Sequence, residues 1–283
     1  MLRHTIRFAA VAGVMLALAA AGRAGTVTDN FDTPQNYLAD LSGTIWDGLK
    51  VTGGGGSIAA CDTTSNPGSL NFASTNTQGH TDHAILYKTL PADTDFEATV
   101  KMVNGNWVPY PNYADPSSTN PGFVAWHSCG LTAARDADEW VANFYFSHPE
   151  WSATFIGRSI VPPGDKNPDD KNEAAGGANI DTYPYTKLAR VGNDFFWYYS
   201  PDGVNWTPFW QVTRNDLAGV PLEVGLRHAM YSGNTASAIL DDFTLSGRGI
   251  GEPTDIPEPV TLGALSLALA GLGGYVRRRR KLG

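Results

Sequence analysis

The chain has 283 residues, of which 42% are hydrophobic and 17% charged, and a net charge of −8. That balance buries a core and excludes a disordered or low-complexity chain. Thirty-one Gly and 18 Pro beside 11% aromatic residues point to turns between β-rich runs, and no stretch from 25 to 255 keeps the i, i+3, i+4 apolar spacing of a long helix.

Charge is distributed unevenly. Arg3, Arg7 and Arg23 lie near the start, and Arg277, Arg278, Arg279, Arg280 and Lys281 close the chain. Between them remain 12 basic and 27 acidic residues, a net of −15. Such a surface repels nucleic acid and anionic membranes, so no nucleic-acid partner is expected.

Residues 1–24 read as a signal peptide. Arg3 and Arg7 form a positive start, Phe8–Ala21 is a short Ala-rich apolar stretch, and small residues offer cleavage sites at Ala19–Ala21 or Gly22–Ala24. The Sec translocon is then the export partner. Residues 25–247 read as one all-β domain. Strands are expected at Thr26–Phe31, Ser57–Asp62, Ser69–Ala73 and Ala84–Leu90, with a Gly53–Gly56 loop. Asp95–Asn104 alternates cleanly: Phe96, Ala98, Val100 and Met102 share one face, and Asp95, Glu97, Thr99 and Lys101 the other.

Asn104–Pro121 is a long Pro-rich loop of the kind that often carries function. Strands follow at Phe123–Ala134, Glu139–Ser147 and Ser152–Ile160, then an exposed polar loop at Val161–Thr182. The richest segment is Tyr185–Trp210. Tyr185–Val191, Phe195–Tyr199 and Trp206–Val212 are β-rich runs, separated by Gly192-Asn193-Asp194 and Ser200-Pro201-Asp202-Gly203. Asn-Asp and Asp-Gly tolerate positive φ and mark hairpins. Pro221–His228 and Ser237–Ser246 complete about a dozen strands, which fits a two-sheet antiparallel sandwich.

Arg190, Gly192, Asn193, Phe196, Tyr199, Ser200, Asp202, Gly203 and Trp206 resemble a run found in concanavalin A-like (LamG/laminarinase-type) jelly rolls. The resemblance implies that fold and leaves the ligand open, since jelly rolls host lectins, enzymes and scaffolds.

Residues 248–255 read as a linker and 256–283 as a tail. Pro257, Glu258 and Pro259 precede the apolar run Val260–Val276, and the basic cluster Arg277–Lys281 follows. Seventeen residues are at the short limit for a spanning helix, and the cluster would stay inside. The three parts in order resemble a PEP-CTERM sorting signal. The resemblance implies an exosortase that recognises Pro257-Glu258-Pro259, a transient inner-membrane anchor and release to the envelope or extracellular matrix. A simple C-terminal anchor is the alternative.

Cys61 and Cys129, the two cysteines of an exported chain, are candidates for a disulfide or for two buried thiols. Asp29 and Asp32 open the domain, and Asp241 and Asp242 close it. Many jelly rolls pair their first and last strands around a structural Ca²⁺, and hard oxygen ligands at both ends suit that ion. Ser200–Trp206 resembles a shortened Asp-box turn, a structural motif. Phe195, Trp197 and Tyr199 share one strand face, and Phe196 and Tyr198 the other: one face is core, the second covered or ligand-facing. Trp107, Tyr110, Tyr113, Trp126, Trp140 and Trp151 are further candidates to stack on sugar faces.

A glycosidase needs two carboxylates about 5–10 Å apart. Glu97, Asp138, Glu139 and Glu223 are the candidates, without the spaced pattern of the laminarinase-type strand. His80 and His83 flank Asp82 in a loop and read as surface residues, with half a metal site as the alternative. The sequence therefore supports a non-catalytic, exported protein that binds glycan or exopolysaccharide. A secreted glycan hydrolase or lyase, and a structural envelope protein without a small ligand, are the alternatives.

Overall fold

Alternating apolar residues build the described part of this protein almost entirely from antiparallel strands. The computed structural model describes residues 24–75, 77, 83–103, 127–148, 152–161, 165–166, 180–230 and 235–251. Within them lie β1 (Ala24–Asp29), β2 (Gly48–Val51), β3 (Ser57–Asp62), β4 (Leu70–Thr75), β5 (Ala84–Leu90), β6 (Phe96–Met102), β7 (His127–Ala134) and β8 (Trp140–His148). Then follow β9 (Ser152–Val161), β10 (Asp165–Lys166), β11 (Tyr185–Val191), β12 (Asp194–Ser200), β13 (Thr207–Thr213), β14 (Leu222–Met230) and β15 (Thr235–Arg248). A single 3-10 turn, Asn215–Leu217, links β13 to β14.

The strands form two sheets. The first runs β13-β12-β11-β6-β15-β4-β3, and the second β10-β9-β8-β7-β14-β5-β2. β1 pairs with the C-terminal half of β15, from Ala24↔Arg248 to Asp29↔Phe243, where β4 no longer reaches. The first and last described strands are thus neighbours. A register shift between Asp241 and Thr244, with Asp242 at φ 50, lets β15 bend between these partners.

The core lies between the sheets. Phe96, Ala98, Val100 and Met102 are buried as their alternation predicts, and Leu188, Phe195 and Trp197 pack beside them from β11 and β12. Leu131, Ala133, Leu222, Val224 and Leu226 face them from the second sheet. Side chains tie the layers with polar bonds as well. Trp197 Nε1 donates to the Ala142 carbonyl at 2.6 Å, and Asn143 Nδ2 donates to the carbonyls of Lys187 and Tyr198 at 2.7 and 3.2 Å. Each bond satisfies a buried group that would otherwise be costly.

The sequence expectations hold for β3, β5 and β11 at their full bounds, and for most others within two residues. Two strands escape them. β2 is four residues long and contains Gly48, and β10 is two residues inside a stretch expected to be loop. Both are edge strands whose pairing, not their own pattern, makes them β. The expected signal peptide, the long loop from 104 and the tail from 256 lie outside the described residues.

Candidate functional site

The aromatic strand β12 divides its rings between two faces. Phe195 and Trp197 are fully buried and point at the second sheet, and Tyr199 packs against Phe155, Tyr183 and Phe209. Phe196 and Tyr198 point the other way and are only partly buried. The outer face of the first sheet therefore carries a row of accessible rings.

The register assembles that row. Lys187 on β11 stands opposite Tyr198 on β12 and opposite Thr99 on β6, and Tyr185 stands opposite Lys101. The Lys187 ammonium sits 4.6 Å from the Tyr198 ring centre and 4.9 Å from that of Trp206. Its third neighbour is Glu97 Oε2 at 3.4 Å. Lys101 lies 6.0 Å from the Tyr185 ring and pairs with Asp241 at 3.3 Å. Burial, together with the charge of Glu97, holds the Tyr198 hydroxyl above its ordinary pKa, so it is a neutral donor at physiological pH. Charges on this face are paired with one another, which leaves Phe196, Tyr198, Trp206 and Tyr185 as partly exposed, flat, locally neutral surface.

Local turns hold the row in place. Gly192 (φ 61) closes the β11–β12 hairpin, and Gly203 (φ 72) lies in the next turn under the Tyr185 ring. Asp202 accepts from the backbone of Val204 and Asn205 at 2.9 and 2.8 Å, and Ser200 Oγ accepts from Asp202 and Gly203. Those bonds from Asn205 and Val204 hold the Asp202 carboxyl below the usual range. The turn is structural, as its resemblance to an Asp-box implies, and it delivers Trp206 to the edge of the row.

Trp140 corrects an expectation. It was a candidate for sugar contact, but its ring is fully buried in a second apolar cluster with Ala134, Ala142, Phe144, Ile156 and Ile160. The Arg227 guanidinium lies 4.7 Å from the Trp140 ring and 4.6 Å from Phe144, and His83 lies 5.2 Å from Trp140. The ring is packed because these side chains cover it. Trp107, Tyr110, Tyr113, Trp126 and Trp151 lie outside the described residues.

His83 also departs from its reading as a surface residue. It is fully buried, with Nδ1 3.1 Å from Thr52 Oγ1 and Nε2 without a partner among the described residues. Burial, then the nearby charges of Arg227 and Lys50, push its pKa well below the ordinary value, so the folded state holds a neutral ring. An unfolded chain takes up a proton below about pH 6.5 and the folded one resists it. Stability is therefore complete above about pH 6.5 and falls as the pH drops below it. Urea midpoints between about pH 7.5 and 5.5 should decline, and His83→Gln should flatten the decline. An unchanged slope in His83→Gln would assign it elsewhere.

The aspartates proposed to share calcium are engaged by protein groups. Asp29 Oδ2 accepts from Tyr37 Oη and Trp46 Nε1, both at 2.9 Å, and Asp29 Oδ1 accepts from the Phe31 amide. Asp32 accepts from Asn30, and Asp241 and Asp242 lie 3.3 and 3.8 Å from Lys101. Among the described residues no group of three or more His, Cys, Asp or Glu is placed to hold a metal ion.

Of the two readings open for the cysteines, the structure holds the buried thiols. Cys61 is on β3 of the first sheet and Cys129 on β7 of the second, and both are free and fully buried. Burial raises both thiol pKa values and keeps the groups inert.

The candidate carboxylates do not converge. Glu97 is on the outer face of the first sheet. Glu223 is on the second and meets Lys50 at 2.6 Å, while Glu139 is clamped by Arg135 at 2.5 Å. Asp138 sits in the turn before β8, its amide bonded to Asp136.

No family model and no curated protein matches the chain. Solved structures do. The GH43 protein BlXynB from Bacillus licheniformis aligns with a TM-score of 0.51 and 14% identity, over 77% of this chain and 38% of that one. A xylan beta-1,4-xylosidase from Bacillus halodurans C-125 aligns at 0.47 and 15%, over 77% and 38%. A protein of unknown function from Shewanella oneidensis aligns at 0.49 and 13%, over 86% and 96%. The chain thus corresponds to little more than a third of each of those two Bacillus chains, and the likeness is one of fold.

Proposed function

We propose that this chain is an exported, non-catalytic protein that binds polysaccharide at the cell envelope or in the extracellular matrix. The observation that carries the reading is the accessible ring row Phe196–Tyr198–Trp206, with Lys187 held between two of its rings. Sugar rings offer apolar C–H faces that stack on aromatic surfaces, and hydroxyls that suit a rim such as Glu97, Thr99 and Lys187. The fold supports it, since the same sandwich is found in part of carbohydrate-active proteins. Export by the Sec translocon and sorting by an exosortase rest on the signal-like start and on Pro257-Glu258-Pro259 with its apolar run and basic end.

Affinity electrophoresis of the purified full chain in gels containing xylan, or the producing organism's exopolysaccharide, tests it. The wild type should be retarded, with or without EDTA if no calcium takes part. Tyr198→Ala and Trp206→Ala should each weaken retention by about tenfold. Retention unchanged in both variants would remove the ring row from binding.

A second reading is favoured by the names of the structural neighbours: a glycan hydrolase. It requires two carboxylates about 5–10 Å apart. Glu139 and Glu223 are each engaged by a basic partner, which supports binding over hydrolysis. New reducing ends from xylan, lost in Glu223→Gln, would reverse that preference.

A further inference from the structure

The end of β1 and the turns after it enclose a cleft of about 400 Å³ that neither the ring row nor the core uses. Its lining is Thr28, Asn30, Thr33, Gln35, Ser42 and Thr44, with Tyr37, Gly43 and Ile45 completing the walls and Asp29 at the base. Thr28, Asn30, Thr33 and Ser42 are exposed, so the cleft opens to solvent. Its size falls within the range of about 300–1,000 Å³ common for small-molecule sites.

The chemistry of the lining narrows the ligand. It has no Lys, Arg or His, so nothing in it draws an anion. Its one carboxylate, Asp29, is already occupied by the Tyr37 hydroxyl, the Trp46 indole and the Phe31 amide, which disfavours a cation. Those bonds also stiffen the base. Gln35 donates Nε2 to the Asp40 carbonyl, which leaves its amide oxygen as an acceptor. Thr28 and Thr33 add hydroxyls at the exposed rim, while the Ser42 side chain bonds the Asp40 carboxylate. At Gly43 (φ +76) the space where a side chain would begin is empty to 4 Å.

We infer that this cleft is a binding site for a single uncharged sugar ring. Hydroxyls that both donate and accept, an amide oxygen and one apolar wall at Ile45 match a pyranose, which carries hydroxyls around its edge and C–H groups on its faces. The site is separate from the ring row and does not depend on it. A row of rings holds a chain along its length; a cleft of about 400 Å³ takes one unit.

The test is saturation-transfer NMR of the full chain with D-xylose, D-glucose, D-galactose and D-mannose at millimolar concentration, followed by calorimetry of any sugar that shows transfer. At least one sugar should saturate. Thr28→Trp, which fills the cleft from an exposed strand position, should weaken it by at least about tenfold. Ser42→Trp, on an exposed turn, repeats the block if Thr28→Trp fails to fold. Loss in Tyr198→Ala with full binding in both cleft variants would move the sugar to the ring row and overturn the inference. Absence of saturable binding by all four sugars would overturn it too, while leaving polysaccharide retention by the ring row to be judged separately.

Discussion

Trp197→Ala should lower the free energy of unfolding by about 3–5 kcal/mol. The ring is fully buried and stacks at 4.4 Å on Trp210, and its Nε1 reaches across the core to the Ala142 carbonyl. Truncation removes that bond and leaves a cavity between the sheets, where rigid strands on both sides limit collapse. Trp206→Ala serves as the comparison. Its ring is partly exposed on the outer face, so the loss there should be nearer 1 kcal/mol. Urea unfolding with an unchanged m-value separates the two. Equal losses would mean that the division of rings between core and surface is wrong.

The second large effect is expected at Asp216. Arg214 is 1% exposed, and its guanidinium donates to Asp216 from Nε at 2.9 and 3.1 Å and from Nη2 at 2.6 Å. Its Nη1 donates across the layers to the Trp140 carbonyl at 3.1 Å and to Ser159 Oγ at 2.9 Å. Arg214 follows β13 of the first sheet, so it fastens that sheet to β8 and β9 of the second. Asp216→Ala leaves a buried cation uncompensated and should cost about 3 kcal/mol, at the low end for such pairs because Asp216 keeps some solvent. The double variant Arg214→Met with Asp216→Ala should recover part of that loss, since an apolar pair carries no desolvation penalty. Fully additive losses would overturn this account.

The pair also sets an acid limit. Hydrogen bonds from Arg214 outweigh burial and hold the Asp216 carboxyl below its ordinary value. Its contribution is complete above about pH 3.9, the unfolded value, and is lost as pH falls through the lower folded value. It therefore acts well below the window in which His83 acts, and the two can be told apart in one pH series.

Much of this architecture was legible in the residues. The alternation of Phe96, Ala98, Val100 and Met102 named a half-buried strand and its inward face, because polar residues lay on the other side. Gly192-Asn193-Asp194 and Asp202-Gly203 named the hairpins, because few residues accept positive φ. Cys61 and Cys129 were not legible in this way: pairing depends on how two distant strands aim their sulfurs, and spacing along the chain carries no such information. His83 misled for a related reason. A His among Gly, Asp and Thr reads as solvent-facing, and only the strand pairing that brings Thr52, Trp140 and Arg227 around it makes it buried.

The candidate site shows the same boundary. By itself the sequence determined an all-β chain with its turns, its acidic middle and an aromatic strand whose two faces were both rings. It could not choose between those faces, because Phe195, Trp197 and Tyr199 are no more apolar as a set than Phe196 with Tyr198. Only the tertiary structure decided it. The second sheet lies against the first set, so Phe195 and Trp197 lost their water and Tyr199 part of its own, while Lys187 and Trp206 gathered around the set that still faces solvent. Period-two alternation tells which residues share a side; burial depends on what packs there, and that comes from strands far away in sequence.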